Sequence, residues 1–158
     1  MKNRSLDIKP YLLKYYDLAG YLIMLGIVML GGLRFKASFL QWRLLDQGLL
    51  ENDALESIWR MHSQPPLFNT LTAFILKTAR LFHVSWEHLA FAVYLLLGLG
   101  TVRLLRRTLE GFELSTRAVA VLMGLFLLNP SLYHYLTKYN DAVWALLFTT
   151  WFLDRKST

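Results

Sequence analysis

Two aspartates are the strongest candidates for chemistry in a chain that is otherwise mostly apolar. Asp46 follows "FLQWRLL" and precedes "QG", and Asp141 follows "YHYLTKYN" and precedes an apolar run. A carboxylate can take a proton from a substrate hydroxyl as a general base. We place Asp46 near a helix C-terminus, where the dipole disfavours an anion; the alternative is a solvated acid paired with Arg43. Asp141 is either a functional acid at the mouth of a membrane span or a helix N-cap.

A second polar element lies in the stretch "WRMHSQPPLFN", residues 59–69. Pro65 biases Gln64 towards extended backbone, and Pro66 suits the first turn of a helix. His62 and Gln64 therefore lie on a stiff connector, which can present polar groups to a ligand with little conformational entropy left to lose. These two side chains are candidate binding residues.

Several other chemistries have no support in the sequence. The chain has no cysteine, which excludes disulfides and thiolate metal sites. It also lacks an H-E-x-x-H or H-x-x-x-H pair, a G-x-S-x-G element and a phosphate-cradling glycine loop. We therefore predict no metal site, no hydrolase triad and no nucleotide site.

The composition defines the environment in which these residues act. Of 158 residues, 55% are hydrophobic and 18% are charged, whereas soluble domains carry about 25% charged residues. Uncharged runs cover residues 18–33, 89–102, 118–133 and 142–153, with basic and aromatic residues at several edges. Each run is shorter than the roughly 20 residues that span a bilayer, but flanking arginines and lysines can reach the interface. We predict an all-α integral membrane protein whose net charge of +6 comes from residues beside its spans, not from a nucleic-acid surface.

The distribution of lysine and arginine favours a cytoplasmic N-terminus and four spans. Four spans leave ten basic residues on the cytoplasmic side and seven outside, whereas a fifth span at residues 65–82 reverses these numbers. We predict spans at residues 18–33, about 87–105, about 117–132 and about 141–153, with "RLLRRTLEGFELSTR" as an inner turn and "NPSLYHYLTKYND" as a short outer loop. Five spans are the alternative. The first span is expected to be a retained signal anchor, because "LGGLRFKASF" has no A-x-A-like cleavage site.

Residues 34–86 form a long outer loop in this topology, with juxtamembrane amphipathic helices. We predict one helix at about residues 39–47, ended by Gly48, and a second that begins after Asp53. In "DALE", Asp53 can cap the second helix while Glu56 reaches back. Residues 65–82 then form an amphipathic helix on the outer surface, and residues 1–158 form a single membrane domain.

This arrangement resembles the N-terminal module of the GT-C membrane glycosyltransferases, in particular the protein mannosyltransferase-like and aminoarabinose transferase-like families. The resemblance rests on a first span followed by an outer loop with an acid, on two juxtamembrane helices joined by "HSQPPLFN", and on a later acid at the outer mouth of a span. Many bacterial members carry an H-x-Q-P-P-L element. The resemblance covers nearly the whole chain, is most specific at residues 45–69, and implies a bacterial inner-membrane protein.

The resemblance implies transfer of a sugar from a polyprenyl-phosphate carrier to an acceptor at the outer face. The acid of the first outer loop, a base or acceptor-orienting group, falls on Asp46, and the second acid falls on Asp141. The polar residues before the paired prolines fall on His62 and Gln64. Further candidates for substrate binding, chosen by charge, predicted side and position, are Arg43, Arg60, Lys138 and its neighbour Tyr139. The donor is the polyprenyl-phosphate sugar, and no cofactor is identified.

Members of this family are longer and have more spans. We therefore expect this chain to be one part of such an enzyme, with little or no activity from these residues alone. Its expected partners are membrane lipid, the polyprenyl-phosphate sugar and either the remaining part of the enzyme or a partner membrane protein. The alternative is a small non-catalytic membrane protein that binds polyprenyl lipid or assists a partner transferase.

Overall fold

The computed structural model describes residues 9–37, 45–60 and 66–157. Within these ranges the chain is helical, apart from turns and one isolated β-bridge between Lys36 and Lys138. The all-α prediction is confirmed at this level. In chain order, the helices of these ranges are α1 Lys9–Leu30, α2 Gln47–Asn52, α3 Ala54–Arg60, α4 Pro66–Leu81, α5 Trp86–Gly111, α6 Thr116–Leu127, α7 Pro130–Leu136 and α8 Ala142–Ser157.

Among the described helices, α5 alone is long and apolar enough to cross a membrane by itself. Its 26 residues extend for about 39 Å at the usual rise of a helix. Helices α6 and α7 pass the same test only as a pair, and they are bent by 56° at the break between them. Residues Tyr15–Leu30 of α1 are apolar but shorter. Length and composition therefore identify fewer spans than the four predicted.

The helix boundaries also differ from the predicted spans. The third span, predicted at about 117–132, stops at Leu127, and α7 starts after a break. The break forms because the Asn129 side chain accepts a hydrogen bond from the Ser131 N–H, and Pro130 takes the first helical position. The predicted outer loop "NPSLYHYLTKYND" is thus largely helical. The predicted inner turn is shorter than expected, since α5 continues to Gly111.

Side-chain contacts define one end of the helix bundle, which we call the Tyr139 end. The Tyr139 ring centroid lies 5.6 Å from that of Trp86 and 5.2 Å from that of Tyr94, both in the first turns of α5. Tyr139 itself lies in the segment before α8, and its N–H donates to the carbonyl of Lys36, which follows α1. The Tyr139 end therefore holds the end of α1 and the starts of α5 and α8.

Ion pairs define the opposite end, which we call the Asp17 end. The buried Asp17 of α1 lies 3.0 Å from Arg106 and 3.5 Å from Arg103, both near the end of α5. Arg107 lies 3.7 Å from Asp154, near the end of α8. Helix α1 therefore runs from the Asp17 end to the Tyr139 end, α5 returns, α6 and α7 run back, and α8 is parallel to α5.

Helix α4 packs at the Tyr139 end. Near its start, the Phe68 ring centroid lies 5.5 Å from that of Tyr139, and the hydroxyl groups of Thr72 and Tyr139 are 2.8 Å apart. After α4 the chain enters α5 at Trp86, whose ring also contacts Tyr139. A helix that crossed the whole bundle before α5 would instead begin at the Asp17 end.

The turn between α4 and α5 is tight and contains a left-handed residue. His83 has a φ of 53°, the Val84 N–H donates to the Ala79 carbonyl at 3.0 Å, and the His83 N–H donates to the Arg80 carbonyl at 3.3 Å. This is the Schellman arrangement, in which glycine usually holds the left-handed position. The turn therefore carries backbone strain at His83.

The short helices that precede α4 agree only in part with those predicted from the sequence. Helix α3 begins directly after Asp53 and α4 begins at Pro66, as predicted. Gly48 was predicted to end a helix, but it lies inside α2. The rest of the predicted helix at 39–47 falls mainly on residues 38–44, which lie outside the described residues. Glu56, expected to reach back in a capping box, forms an ion pair with Arg60 at 2.6 Å.

Candidate functional site

Two lysines lie side by side at the Tyr139 end. Lys36 and Lys138 form a parallel β-bridge, in which the Lys36 N–H donates to the Thr137 carbonyl at 2.8 Å and the Tyr139 N–H donates to the Lys36 carbonyl at 3.1 Å. Paired positions in such a bridge lie on neighbouring extended segments, about 4.8 Å apart, and present their side chains to the same face. Both lysines are exposed, and among the described residues neither forms an ion pair with a carboxylate. The fold thus creates a small doubly positive surface.

Tyr139 forms the floor beneath this surface. Its side chain is 1% exposed, packs against the rings of Phe68, Trp86 and Tyr94, and shares a hydrogen bond with the Thr72 hydroxyl. Burial raises the pKa of Tyr139 to about 12. The phenol therefore remains protonated at ordinary pH, and its position supports the site from within the core.

The residues after Tyr139 fix the start of α8. The Asn140 N–H donates to the Tyr94 hydroxyl at 2.9 Å, and the Asn140 side chain accepts from the Ala142 N–H at 2.9 Å. The Asp141 carbonyl accepts the first helical hydrogen bond, from Ala145 at 3.0 Å. The Asp141 carboxylate is thus placed at the α8 N-terminus, half-buried and three residues after Lys138.

The structure corrects the local setting of Asp46. It was predicted to lie near a helix C-terminus, but it is the N-cap of α2, and its Oδ1 accepts from the Gly48 N–H at 2.8 Å. The helix dipole therefore favours the Asp46 carboxylate instead of opposing it. The reason is that Asp46 has a non-helical ψ of 143° and the following "QGLLEN" forms the helix.

The two aspartates lie at the same end of the molecule. The Leu45 N–H donates to the side chain of the fully buried Asn69 at 2.8 Å, which ties the start of α2 to α4. The neighbouring Phe68 contacts Tyr139, two residues before Asp141. A continuous chain of contacts therefore links Asp46 to Asp141 through α4.

Of the other predicted binding residues, the structure describes Arg60. Arg60 is exposed in the last turn of α3 and is ion-paired with Glu56 at 2.6 Å. Arg43, His62 and Gln64 lie outside the described residues. Of the predicted site residues that the structure describes, Asp46, Lys138, Tyr139 and Asp141 share the Tyr139 end.

Two polar features of the structure, Lys36 and Asp17, are missing from the residues predicted from the sequence. Lys36 meets Lys138 only because the end of α1 pairs with the segment before α8, far away in the chain. Asp17 lies in the first turns of α1 and is buried by arginines from α5. An acid at the beginning of an apolar run was the available signal for Asp17. Across the described ranges, no group of three or more histidines and carboxylates could hold a metal ion.

Comparisons with protein-family models, with curated proteins and with solved structures gave no match to this chain.

Proposed function

We propose that this chain is a four-pass helical membrane protein whose Tyr139 end lies on the non-cytoplasmic side and binds the phosphate of a polyprenyl-phosphate sugar for glycosyl transfer. The observation that carries the proposal is the adjacent pair Lys36 and Lys138, three residues from Asp141. Like charges in directly paired positions repel each other, and an anion between them removes that repulsion. A lipid phosphate at the membrane surface supplies such an anion. The sequence resemblance to GT-C transferases supports the same ligand.

The outward surface of the bundle supports insertion in a membrane. Large apolar side chains are exposed on several helices, and extensive exposed apolar surface is typical of contact with lipid or with another protein. They include Leu22, Ile23, Ile27 and Leu30 on α1, Val121, Leu122 and Leu125 on α6, and Phe148, Trp151 and Phe152 on α8. In the proposed topology α1, α5, the bent pair α6–α7, and α8 are the four spans, and lipid covers these faces.

The distribution of arginine supports the proposed orientation. The last turns of α5, the start of α6 and the end of α8 meet at the Asp17 end and carry Arg103, Arg106, Arg107, Arg117 and Arg155. Arginine and lysine are enriched on the cytoplasmic side of membrane proteins. The position of α4 at the Tyr139 end favours four spans over five, because a fifth span would begin at the Asp17 end.

The proposed reaction is a single displacement. The acceptor hydroxyl oxygen forms a bond to the anomeric carbon, the bond between that carbon and the phosphate oxygen breaks, and the electron pair leaves with the phosphate. Asp46 or Asp141 takes the hydroxyl proton, as a general base does. Lys36 and Lys138 stabilise the negative charge on the departing lipid phosphate through charge-assisted hydrogen bonds.

Lipid binding tests the proposal directly. The purified full chain in lipid nanodiscs is titrated with a polyprenyl phosphate and, as a control, with the uncharged polyprenol. We expect the phosphate to bind and the Lys36→Gln/Lys138→Gln variant to bind it at least about tenfold more weakly, the loss of roughly one charge-assisted contact. Arg117→Gln, which changes an exposed cation at the Asp17 end, is the matched control and is expected to leave binding unchanged. Equal binding of polyprenol and polyprenyl phosphate would contradict the proposal.

Lipid binding without catalysis is the second candidate function. The capping role of Asp46 favours it, because the cap gives this carboxylate a structural role. Asp46→Asn separates the two functions, since asparagine caps a helix about as well as aspartate but is no general base. In native membranes supplied with polyprenyl-phosphate hexoses, the transferase predicts a fall in turnover of roughly 10²-fold or more for this variant. Phosphate-dependent binding without any transfer by the wild type would select the non-catalytic function.

A further inference from the structure

A cavity of about 230 Å³ lies between α5, α7 and α8, and nothing in the proposed transfer has yet used it. Its walls include Gly98 and Thr101 of α5, Leu136 of α7 and Val143 of α8, and all four residues are buried. Tyr135 of α7 also lines it and is 51% exposed. The cavity therefore lies inside the bundle and reaches the surface beside Tyr135.

The cavity begins directly beneath the segment that carries Lys138. Gly98 follows Tyr94 by one helical turn, which places it about 6 Å further from the Tyr139 end. The Tyr94 hydroxyl accepts from the Asn140 N–H at 2.9 Å. The Asn140 side-chain amide donates to the carbonyls of Tyr135 at 3.1 Å and of Lys138 at 2.7 Å. Hydrogen bonds thus join the edge of the cavity to the lysine pair, and in the proposed topology the cavity lies in the outer leaflet.

The lining of the cavity suits a hydrocarbon. The Thr101 hydroxyl donates to the Leu97 carbonyl at 2.8 Å and is thereby satisfied within its own helix. The other polar side chain among the described lining residues is Tyr135, at the edge. Apolar cavities of about 150 Å³ stay dry and accept benzene, so this volume holds roughly ten carbon atoms of an apolar ligand.

The chemistry beside a lipid phosphate distinguishes two kinds of lipid. In a prenyl phosphate, the phosphate oxygen is bonded directly to the hydrocarbon chain. In a phospholipid, glycerol and ester groups come between the phosphate and the acyl chains. Ester carbonyls buried without hydrogen-bond donors are costly, and the walls of this cavity supply no donor below its edge. A phosphate held at the lysine pair therefore brings a prenyl chain into the cavity more favourably than a phospholipid.

The geometry points to this cavity as the binding site for the isoprene units next to the phosphate that lies between Lys36 and Lys138. The inference rests on the proposed function. It adds that this part of the chain binds the hydrocarbon of the carrier as well as its phosphate, and that it selects an isoprenoid over a phospholipid.

Photo-crosslinking of the full chain in lipid nanodiscs tests the site without a change of sequence. The probe is farnesyl phosphate with a diazirine in its second isoprene unit, and its adducts are located by mass spectrometry. We expect adducts on residues that line the cavity, such as Tyr135, Leu136 and Leu146. Adducts confined to outward-facing residues, such as the exposed Leu125 of α6, would overturn the inference.

A photoreactive phosphatidylcholine is the control probe for this experiment. It carries its diazirine on an acyl chain and reports whether bulk lipid occupies the cavity. We expect farnesyl phosphate to displace any adduct that it forms on the cavity residues. Adducts that persist in excess farnesyl phosphate would assign the cavity to bulk lipid and overturn the inference.

A matched pair of variants tests the same site by affinity. Ala142 lines the cavity at the start of α8, and Ala142→Phe fills part of the volume with a ring. We expect this variant to bind farnesyl phosphate about tenfold more weakly, as one steric misfit in a packed interior does. Ala145→Phe makes the same change at an exposed position of α8 and should leave binding unchanged. The Tm of each variant shows whether its fold is retained, and the crosslinking result holds without either variant.

The outcomes separate this inference from the proposed function. If Lys36→Gln/Lys138→Gln loses farnesyl phosphate while a folded Ala142→Phe binds it as the wild type does, the inference fails and the proposed function stands. If cavity adducts persist in the paired-lysine variant, the cavity remains an isoprenoid site and the phosphate site is contradicted. If farnesyl phosphate does not bind the wild type, both are overturned.

Discussion

Asp17→Asn isolates the buried charge that joins α1 to α5 at the Asp17 end. The Asp17 side chain is 0% exposed and pairs with Arg106 at 3.0 Å and with Arg103 at 3.5 Å. Asparagine has nearly the same shape, so the substitution removes the charge while it leaves the packing of α1 against α5 in place. The variant therefore measures what the carboxylate contributes to the contact between these helices.

The expected cost follows from the burial of each partner. Removing one member of a buried ion pair costs about 3–5 kcal/mol when the other charge is left unpaired. Arg106 is not left unpaired, because its Nε lies 2.7 Å from Glu110 and its guanidinium lies over the Tyr16 ring at 4.6 Å. Arg103 is 40% exposed, so water compensates for its loss of a partner. We therefore expect Asp17→Asn to destabilise the protein by about 2–3 kcal/mol, below the full buried-pair range.

Thermal unfolding in a mild detergent measures this loss. At about 2–4 °C per kcal/mol for a chain of this size, Asp17→Asn is expected to lower Tm by about 4–12 °C. Arg103→Gln is the matched control and should cost no more than about 1 kcal/mol, as expected for a partly exposed pair. A Tm for Asp17→Asn within about 1 °C of the wild type, or a larger loss for Arg103→Gln than for Asp17→Asn, would refute this reasoning.

Three further predictions concern the helix contacts and one turn, and each is read from the Tm or the free energy of unfolding. His83→Gly should stabilise the protein by about 1 kcal/mol, because glycine adopts the left-handed backbone of this turn without strain; a loss of stability contradicts that conformation. Gly98→Ala should destabilise by about 1–3 kcal/mol, since a β-carbon there overlaps the Tyr21 phenol ring. The control is Gly26→Ala in α1, where a β-carbon has open space, and equal effects at both glycines would argue against the close packing of α1 and α5. Burial raises the pKa of Tyr139 in the folded protein to about 12, above the ordinary value of 10.0. Its contribution to the free energy of unfolding is therefore present below about pH 10 and is lost as the pH rises towards 12. Tyr139→Phe should flatten the dependence of stability on pH in this range, and an unchanged dependence would place the titrating group elsewhere.

The sequence predicts that the fold is helical, but it predicts only part of the arrangement of the helices. Apolar runs and the proline at position 66 predict helices, because hydrophobic pattern and N1 proline act over a few residues. The break at Asn129 and Pro130 has a local signal too, an N-cap followed by proline, but the apolar run that continues across it predicts one span. Local rules are thus sufficient for helices and insufficient for bends within an apolar run.

Part of the candidate site depends on contacts between residues that lie far apart in the sequence. The position of Asp141 before α8 could be predicted, since an acid precedes a long apolar run. Asp46 was predicted near a helix C-terminus but is the N-cap of α2, and this difference reverses the sign of the dipole acting on its carboxylate. The pairing of Lys36 with Lys138 depends on how the ends of α1 and α7 meet, and no short-range pattern contains that information.

The most direct test of the central claim is the side of the membrane on which each end of the bundle lies. Single cysteines are introduced into this cysteine-free chain at three exposed positions, as Asn52→Cys, Lys138→Cys and Glu113→Cys. In sealed cells or right-side-out vesicles, we predict that a membrane-impermeant maleimide labels the first two from outside and labels Glu113→Cys only after permeabilisation. Labelling of Asn52→Cys and Lys138→Cys from opposite sides would contradict a shared outer site, and with it the proposed binding of a polyprenyl phosphate.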